Sequence, residues 1–181
     1  TDVIPIAGDP VTNDIAEALR TPATQAEDIK QKYGCAVSSL TSPDELMMVP
    51  GMGGRPEREL SRQALADVLE RRYVEIFSMA QQKLNLGGFE SLIPAGIVLT
   101  GGASKVEGST ELAEEVFHAP VRLGCPQSVE GLEEIINNPI YSTSVGLLLY
   151  GQKKLQEDHL NYLSRDKNIL SRITRWFGGN L

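Results

Sequence analysis

At 181 residues, with 41% hydrophobic and 23% charged positions, the chain can build one substantial core or two small ones, and its composition argues against wholesale disorder. The net charge of −7 is unevenly placed: residues 165–181 carry +3, which leaves −10 on the other 164. An acidic body of this kind lacks the broad basic face that neutralises phosphates, so no nucleic-acid partner is expected. Cys35 and Cys125 lie far apart without metal-ligand spacing, and His118 and His159 are isolated, which argues against a zinc site and for a reducing compartment. No segment reads as a signal peptide, and no apolar run approaches the ~20 residues of a membrane-spanning helix. The chain opens without methionine inside a strand-like DVIPIAG, as expected of a piece of a longer protein.

In chain order, that strand is followed by a helix expected from about Thr12 to Leu19 and a second from Gln25 to Tyr33, stopped by Gly34. Residues 36–54 carry short apolar patches, AVSSL and LMMVP, separated by Ser42, Pro43 and Asp44, a pattern that predicts two or three short strands. Pro56 then opens the longest helical pattern, with Leu60, Ala64, Leu65, Val68, Leu69, Ile76, Phe77, Ala80 and Leu84 recurring as a core stripe. After the next strand, a helix is expected over STELAEEVFH, a strand over APVRLG and a helix over NPIYSTSVGLLLYG, entered at Pro139. From Gln152 the sequence turns polar without periodicity and reads as a linker.

Two stretches carry more than structure. AGIVLTGG is a short apolar run ending in adjacent glycines, the pattern of a strand buried on both faces in a parallel sheet. Gly101 and Gly102 serve either a tight turn or the close approach of a ligand to backbone N–H groups, at the strand end where α/β folds place ligands. The second stretch is the tail NILSRITRWFGGNL. At about 100° per residue, Ile169, Leu170, Ile173, Trp176 and Phe177 fall within an arc of roughly 120°, with Arg172 and Arg175 on the opposite side. That amphipathic pattern suits a helix lying in an anionic membrane interface, where each basic residue adds on the order of 1 kcal/mol, and it equally suits a helix docked on its own domain.

Taken together, the segments IPIAGDPVTNDIAEAL, AEDIKQKYGCAV, GGRPERELSRQALADVLERRY, GIVLTGGASKVEG, FHAPVRLGCP and YSTSVGLLLYG resemble successive parts of the FtsA family of bacterial cell-division proteins, which are actin-like ATPases. The resemblance runs from Thr1 to about Gly151 and resumes in the terminal amphipathic helix. It implies an α/β chain forming the second lobe of an actin-like (ribonuclease H-like) fold. The lower part would comprise 1–23 and 95–151, and an inserted α+β subdomain, 24–94, would form the upper part; a linker over 152–164 and a membrane-targeting helix over 165–181 would follow. The phosphate loops would belong to the other half, so this piece is not expected to hydrolyse ATP.

By the same resemblance, Gly101, Gly102 and Ala103 form a wall against adenosine, and Lys30 and Gln31 flank the base and ribose from the facing helix. Actins often carry a glutamate where Gln31 stands. ATP with Mg2+ is implied for the whole protein and weak or no binding for this piece. The upper subdomain is implied to receive the C-terminal tail of FtsZ, the tubulin-like filament protein, with Arg55, Arg58 and Arg62 as candidates. Arg58 and Arg62 are four apart, a spacing that on one helix face suits either a carboxylate clamp or an ordinary solvated surface. The implied role is an adaptor at the cytoplasmic face of the inner membrane at the septum, self-assembling like actin and meeting other divisome proteins. An ATPase, or a plain nucleotide-binding domain with a self-docked tail, are the alternatives.

Overall fold

The computed structural model describes residues 1–89, 92–127 and 129–157. Residues 1–7 form no strand, although their exposure roughly alternates as a strand's would. A strand needs a hydrogen-bonded neighbour, and none among the described residues pairs with this segment. Among the described residues an ion pair tethers it, where Lys83 meets Asp2 at 2.9 Å. Helix α1 spans Gly8–Ala18 and so begins earlier than expected, with Pro10 in the first turn, where a missing N–H costs nothing. Helix α2 spans Ala23–Tyr33 and stops at Gly34.

The next segment departs most from the sequence reading. Residues 36–54 hold a short 3-10 turn, Ser38–Leu40, and a single strand β1, Leu46–Val49. Strand β2, Arg58–Ser61, pairs antiparallel with β1 from Leu46↔Ser61 to Val49↔Arg58. The helical pattern beginning at Pro56 is therefore pre-empted as far as Ser61, because ladder bonds to β1 take up the backbone that a first helical turn would leave unpaired. Helix α3 runs Arg62–Leu86, and the Ser61 side chain caps it by accepting from the Ala64 N–H. Arg58 and Arg62 consequently share no helix face.

The remainder matches the expected order. Strand β3, Ile97–Leu99, leads through a 3-10 turn, Gly102–Lys105, into α4, Ser109–Phe117, and then β4, Val121–Leu123. β3 and β4 are parallel, with Ile97 opposite Val121 and Leu99 opposite Leu123. β3 is not buried on both faces: Leu99 packs toward the core while Val98 stays 49% exposed. A short α5, Glu133–Ile136, and a 3-10 turn, Pro139–Tyr141, precede α6, helical over 142–157. The first residues of the expected linker, 152–157, are thus helical; the rest of it lies outside the described residues, as do Ile169, Leu170, Arg172, Ile173, Arg175, Trp176 and Phe177.

One core joins these elements. Leu65, Leu69, Tyr73 and Phe77 line the buried side of α3 and meet Val11 and Ile15 of α1, Ile29 of α2, Met47 and Val49 of β1, and Leu112 of α4. Arg72 fastens α3 to α1 through a two-pronged ion pair with Asp14, at 2.6 and 2.9 Å. Gln81 donates to the Val116 carbonyl at 2.7 Å and ties α3 to α4.

Candidate nucleotide cleft

A cleft of about 740 Å³ opens between α2 and the turn after β3. Lys30, Gln31, Gly101, Gly102 and Ala103 all line it. Arg62 lines it too, whereas Arg58 in β2 does not: the Arg62 guanidinium donates to the Tyr33 carbonyl at 2.9 Å, to Glu45 at 3.0 Å and to Glu107. Those carboxylates hold its charge more firmly, first Glu107 and then Glu45. Arg62 is therefore a tie between α2, β1 and the loop before α4. Arg58 and Arg55 are both exposed; the Arg58 guanidinium is engaged, donating to the Leu19 carbonyl, while Arg55 lies in the loop between the strands.

Lys30 is only 8% exposed, and a buried ammonium is tolerated where its donors are satisfied. Its three N–H bonds reach the Gly8 carbonyl at 3.2 Å, Thr12 Oγ1 at 2.7 Å and Glu27 Oε2 at 2.6 Å. Lys30 thus fixes the floor of the cleft, and its donors are spent on the protein. Glu27, which the sequence reading passed over, is the hub: it accepts from Lys30, from the Thr12 hydroxyl and from Gln31 Nε2 at 2.8 Å. Partial burial pushes the Glu27 carboxyl up, but the hydrogen bonds from Lys30, Thr12 and Gln31, with the Lys30 charge, outweigh it and bring it down to about 2. Because a carboxylate only accepts, Gln31 must turn its amide nitrogen to Glu27, and its carbonyl oxygen is the end turned away. The spacing of Glu27, Lys30 and Gln31 at i, i+3 and i+4 was the available signal for this cluster.

On the facing wall, Gly101 has φ +90°, a conformation that disfavours any side chain, and its N–H is held by the Pro139 carbonyl at 3.1 Å. Gly102 is different: a Cβ there would meet only Ile140 Cγ1, at 3.7 Å. From behind the wall, the Tyr73 hydroxyl donates to the Ala103 carbonyl at 2.8 Å. Burial pushes that phenol above its ordinary range. Among the described residues no group of three His, Cys, Asp or Glu side chains is placed to hold a metal ion, and no helix is long and apolar enough to cross a membrane.

Solved structures with this fold include MreB 5 of Spiroplasma citri bound to AMPPNP, with a TM-score of 0.66, 19% identity, and coverage of 87% of this chain and 47% of that one. The same protein bound to ADP gives a TM-score of 0.64 at 16% identity. The chain is thus an α/β lobe of the actin-like class. The family model described as Cell division protein FtsA matches residues 1–146. Cell division protein FtsA of Pseudomonas aeruginosa is 57% identical over 189 residues, covering 99% of this chain and 45% of that protein; the Escherichia coli K12 protein is 45% identical over 184 residues, covering 97% and 43%. The chain belongs to the FtsA family, and it spans somewhat less than half the length of these curated relatives.

Replacing Glu27 by Gln is expected to destabilise the fold by about 1–2 kcal/mol at pH 7, since it strips a buried ammonium of its counter-charge at a partly exposed site. The folded carboxyl lies at about 2, below its ordinary 4.5, so its contribution is complete above about pH 4.5 and lost as pH falls toward 2. Thermal unfolding of both proteins across that range should show the gap between them closing in acid.

Proposed function

We propose that this chain is one lobe of an adaptor that anchors FtsZ filaments at the cytoplasmic face of the inner membrane at the division septum, binds ATP and self-assembles into actin-like filaments among other divisome proteins. One observation carries the nucleotide part: the residues that the family resemblance assigns to adenosine, distant in sequence, converge on one cleft. Its volume lies within the ~300–1,000 Å³ usual for small-ligand sites. A flat wall of Gly101, Gly102 and Ala103 suits a purine, and the wall opposite is held rigid by the Glu27 cluster. The residues here fit the nucleoside end of ATP; the phosphates and Mg2+ would be met by the half of the protein beyond this chain.

The FtsZ-tail reading shifts within the upper subdomain. Arg62 is committed to the cleft and the exposed Arg58 to the Leu19 carbonyl, which leaves Arg55, in a turn closed by its backbone N–H onto the Met52 carbonyl at 3.4 Å, as the cation best placed for a ligand. Leu46 and Met48 on the outer face of β1, together with Met52, are about half exposed. An apolar strip beside one arginine suits a short peptide with apolar and acidic positions. Weak contacts at the peptide site and at the membrane would act together along a polymer by avidity.

Three outcomes test this reading in the full-length parent. Gly102→Val, which fills the wall without backbone strain, should weaken MgATP binding by at least about tenfold in titration calorimetry. Arg55→Glu should weaken an FtsZ tail peptide on the order of tenfold in fluorescence anisotropy, with the circular dichroism spectrum unchanged. In flotation with anionic vesicles, removal of everything after residue 157 should abolish lipid association; flotation of the truncated protein would remove the membrane role from the tail.

A further inference from the structure

We propose that Tyr73 is a positioning residue for nucleotide: its hydroxyl, reaching from α3 to the Ala103 carbonyl, sets the backbone wall of the cleft from behind. This rests on the nucleotide reading of that cleft. Tyr73 is 3% exposed and does not line the cleft, so it acts through Ala103 and not on a ligand. Its ring packs edge-on to Phe77 at 5.8 Å between centroids, and Phe77 in turn packs on Phe117. Phenylalanine at 73 would serve that aromatic cluster equally well. The hydroxyl is what requires a reason, because a buried phenol costs stability unless it is bonded.

The bond it makes falls on the segment that forms the wall. A carbonyl can only accept, so the phenol is the donor. The other donor to Ala103 O is the Val106 N–H at 3.4 Å, at the long limit of a hydrogen bond, so the 2.8 Å contact from Tyr73 is the effective constraint. Within the segment, Ser104 Oγ donates to Gly101 O and Ser109 Oγ to Ser104 O, both at 2.7 Å, which makes residues 101–109 a locally braced unit. Tyr73 fixes that unit to α3 at Ala103, and Arg62, at the start of the same helix, fixes it again at Glu107. Arg62 also holds the Tyr33 carbonyl at the end of α2. One helix thereby sets the separation of the two cleft walls. Small displacements of positioning groups are costly to a ligand even when the fold survives.

The test is MgATP titration of the full-length parent as wild type, Tyr73→Phe and Val49→Ala. Val49 is a fully buried residue of β1 away from the cleft and serves as a control for lost stability alone. Tyr73→Phe should weaken MgATP by about three- to tenfold, the worth of one hydrogen bond, while Val49→Ala leaves affinity within twofold. Hydrogen exchange should accelerate at the amides of 101–106 in Tyr73→Phe and stay unchanged along α3. Wild-type affinity in Tyr73→Phe, or equal weakening in both variants, overturns the positioning role while leaving the nucleotide reading intact. Failure of the wild type itself to bind overturns the nucleotide reading and this role with it. Should Tyr73→Phe bind poorly to the point of misfolding, exchange protection lost along all of α3 would likewise count against a positioning role.

Discussion

A charged amine taken out of water needs an acceptor for each of its N–H bonds, and the arrangement around Lys30 follows from that requirement. One acceptor is the Gly8 carbonyl at the start of α1, one is Thr12 a turn later, and one is Glu27 on its own helix. Satisfying them locks α1 against α2 at a fixed register, and the N-terminal end of α1 is thereby brought up to the glycine turn, with Gly8 facing the Ala103 methyl. A cleft floored by a neutralised ion pair is rigid, and its polarity is set before any ligand enters. That is preorganisation in the physical sense: the ordering cost is met during folding and not at binding.

α3 supplies the second constraint. Its buried stripe organises the core, and its first residue and its middle reach Glu107 and Ala103 in the loop that carries the glycine wall. Packing and site are therefore not separate layers in this molecule. Two side chains of α3 itself, Arg62 and Tyr73, brace the loop that carries the glycine wall.

Much of this was legible in the sequence where local rules and tertiary structure agree. The unit of strand, glycine turn, helix and parallel strand was readable from the apolar run, Gly101–Gly102 and the pattern after Gly108, because each part meets its own local requirement. The fold differed where pairing partners decide. The stretch before Gly8 looks like a strand but has no pairing neighbour among the described residues, and Arg58–Ser61 looks helical but has one in β1. Ser61 offered a clue, as a serine is a better cap than an interior helix residue. Tyr73 continued a visible i, i+4 series with Leu69 and Phe77, which announces burial but gives no sign that its hydroxyl would meet a loop some thirty residues away. Arg62 misled for the opposite reason: its charge suggested a partner outside the chain, and its partners proved to be Glu45 and Glu107, remote in sequence.

The length of α3 has a mechanical consequence. At 1.5 Å per residue, Tyr73 sits about 16 Å along the axis from Arg62, so a tilt of the helix by about 4° about one anchor displaces the other by about 1 Å. The β1–β2 ribbon is joined directly to the first residue of that lever. A load applied to the ribbon is therefore delivered to the helix at its end, where leverage is greatest, and the cleft sits between the two fulcra.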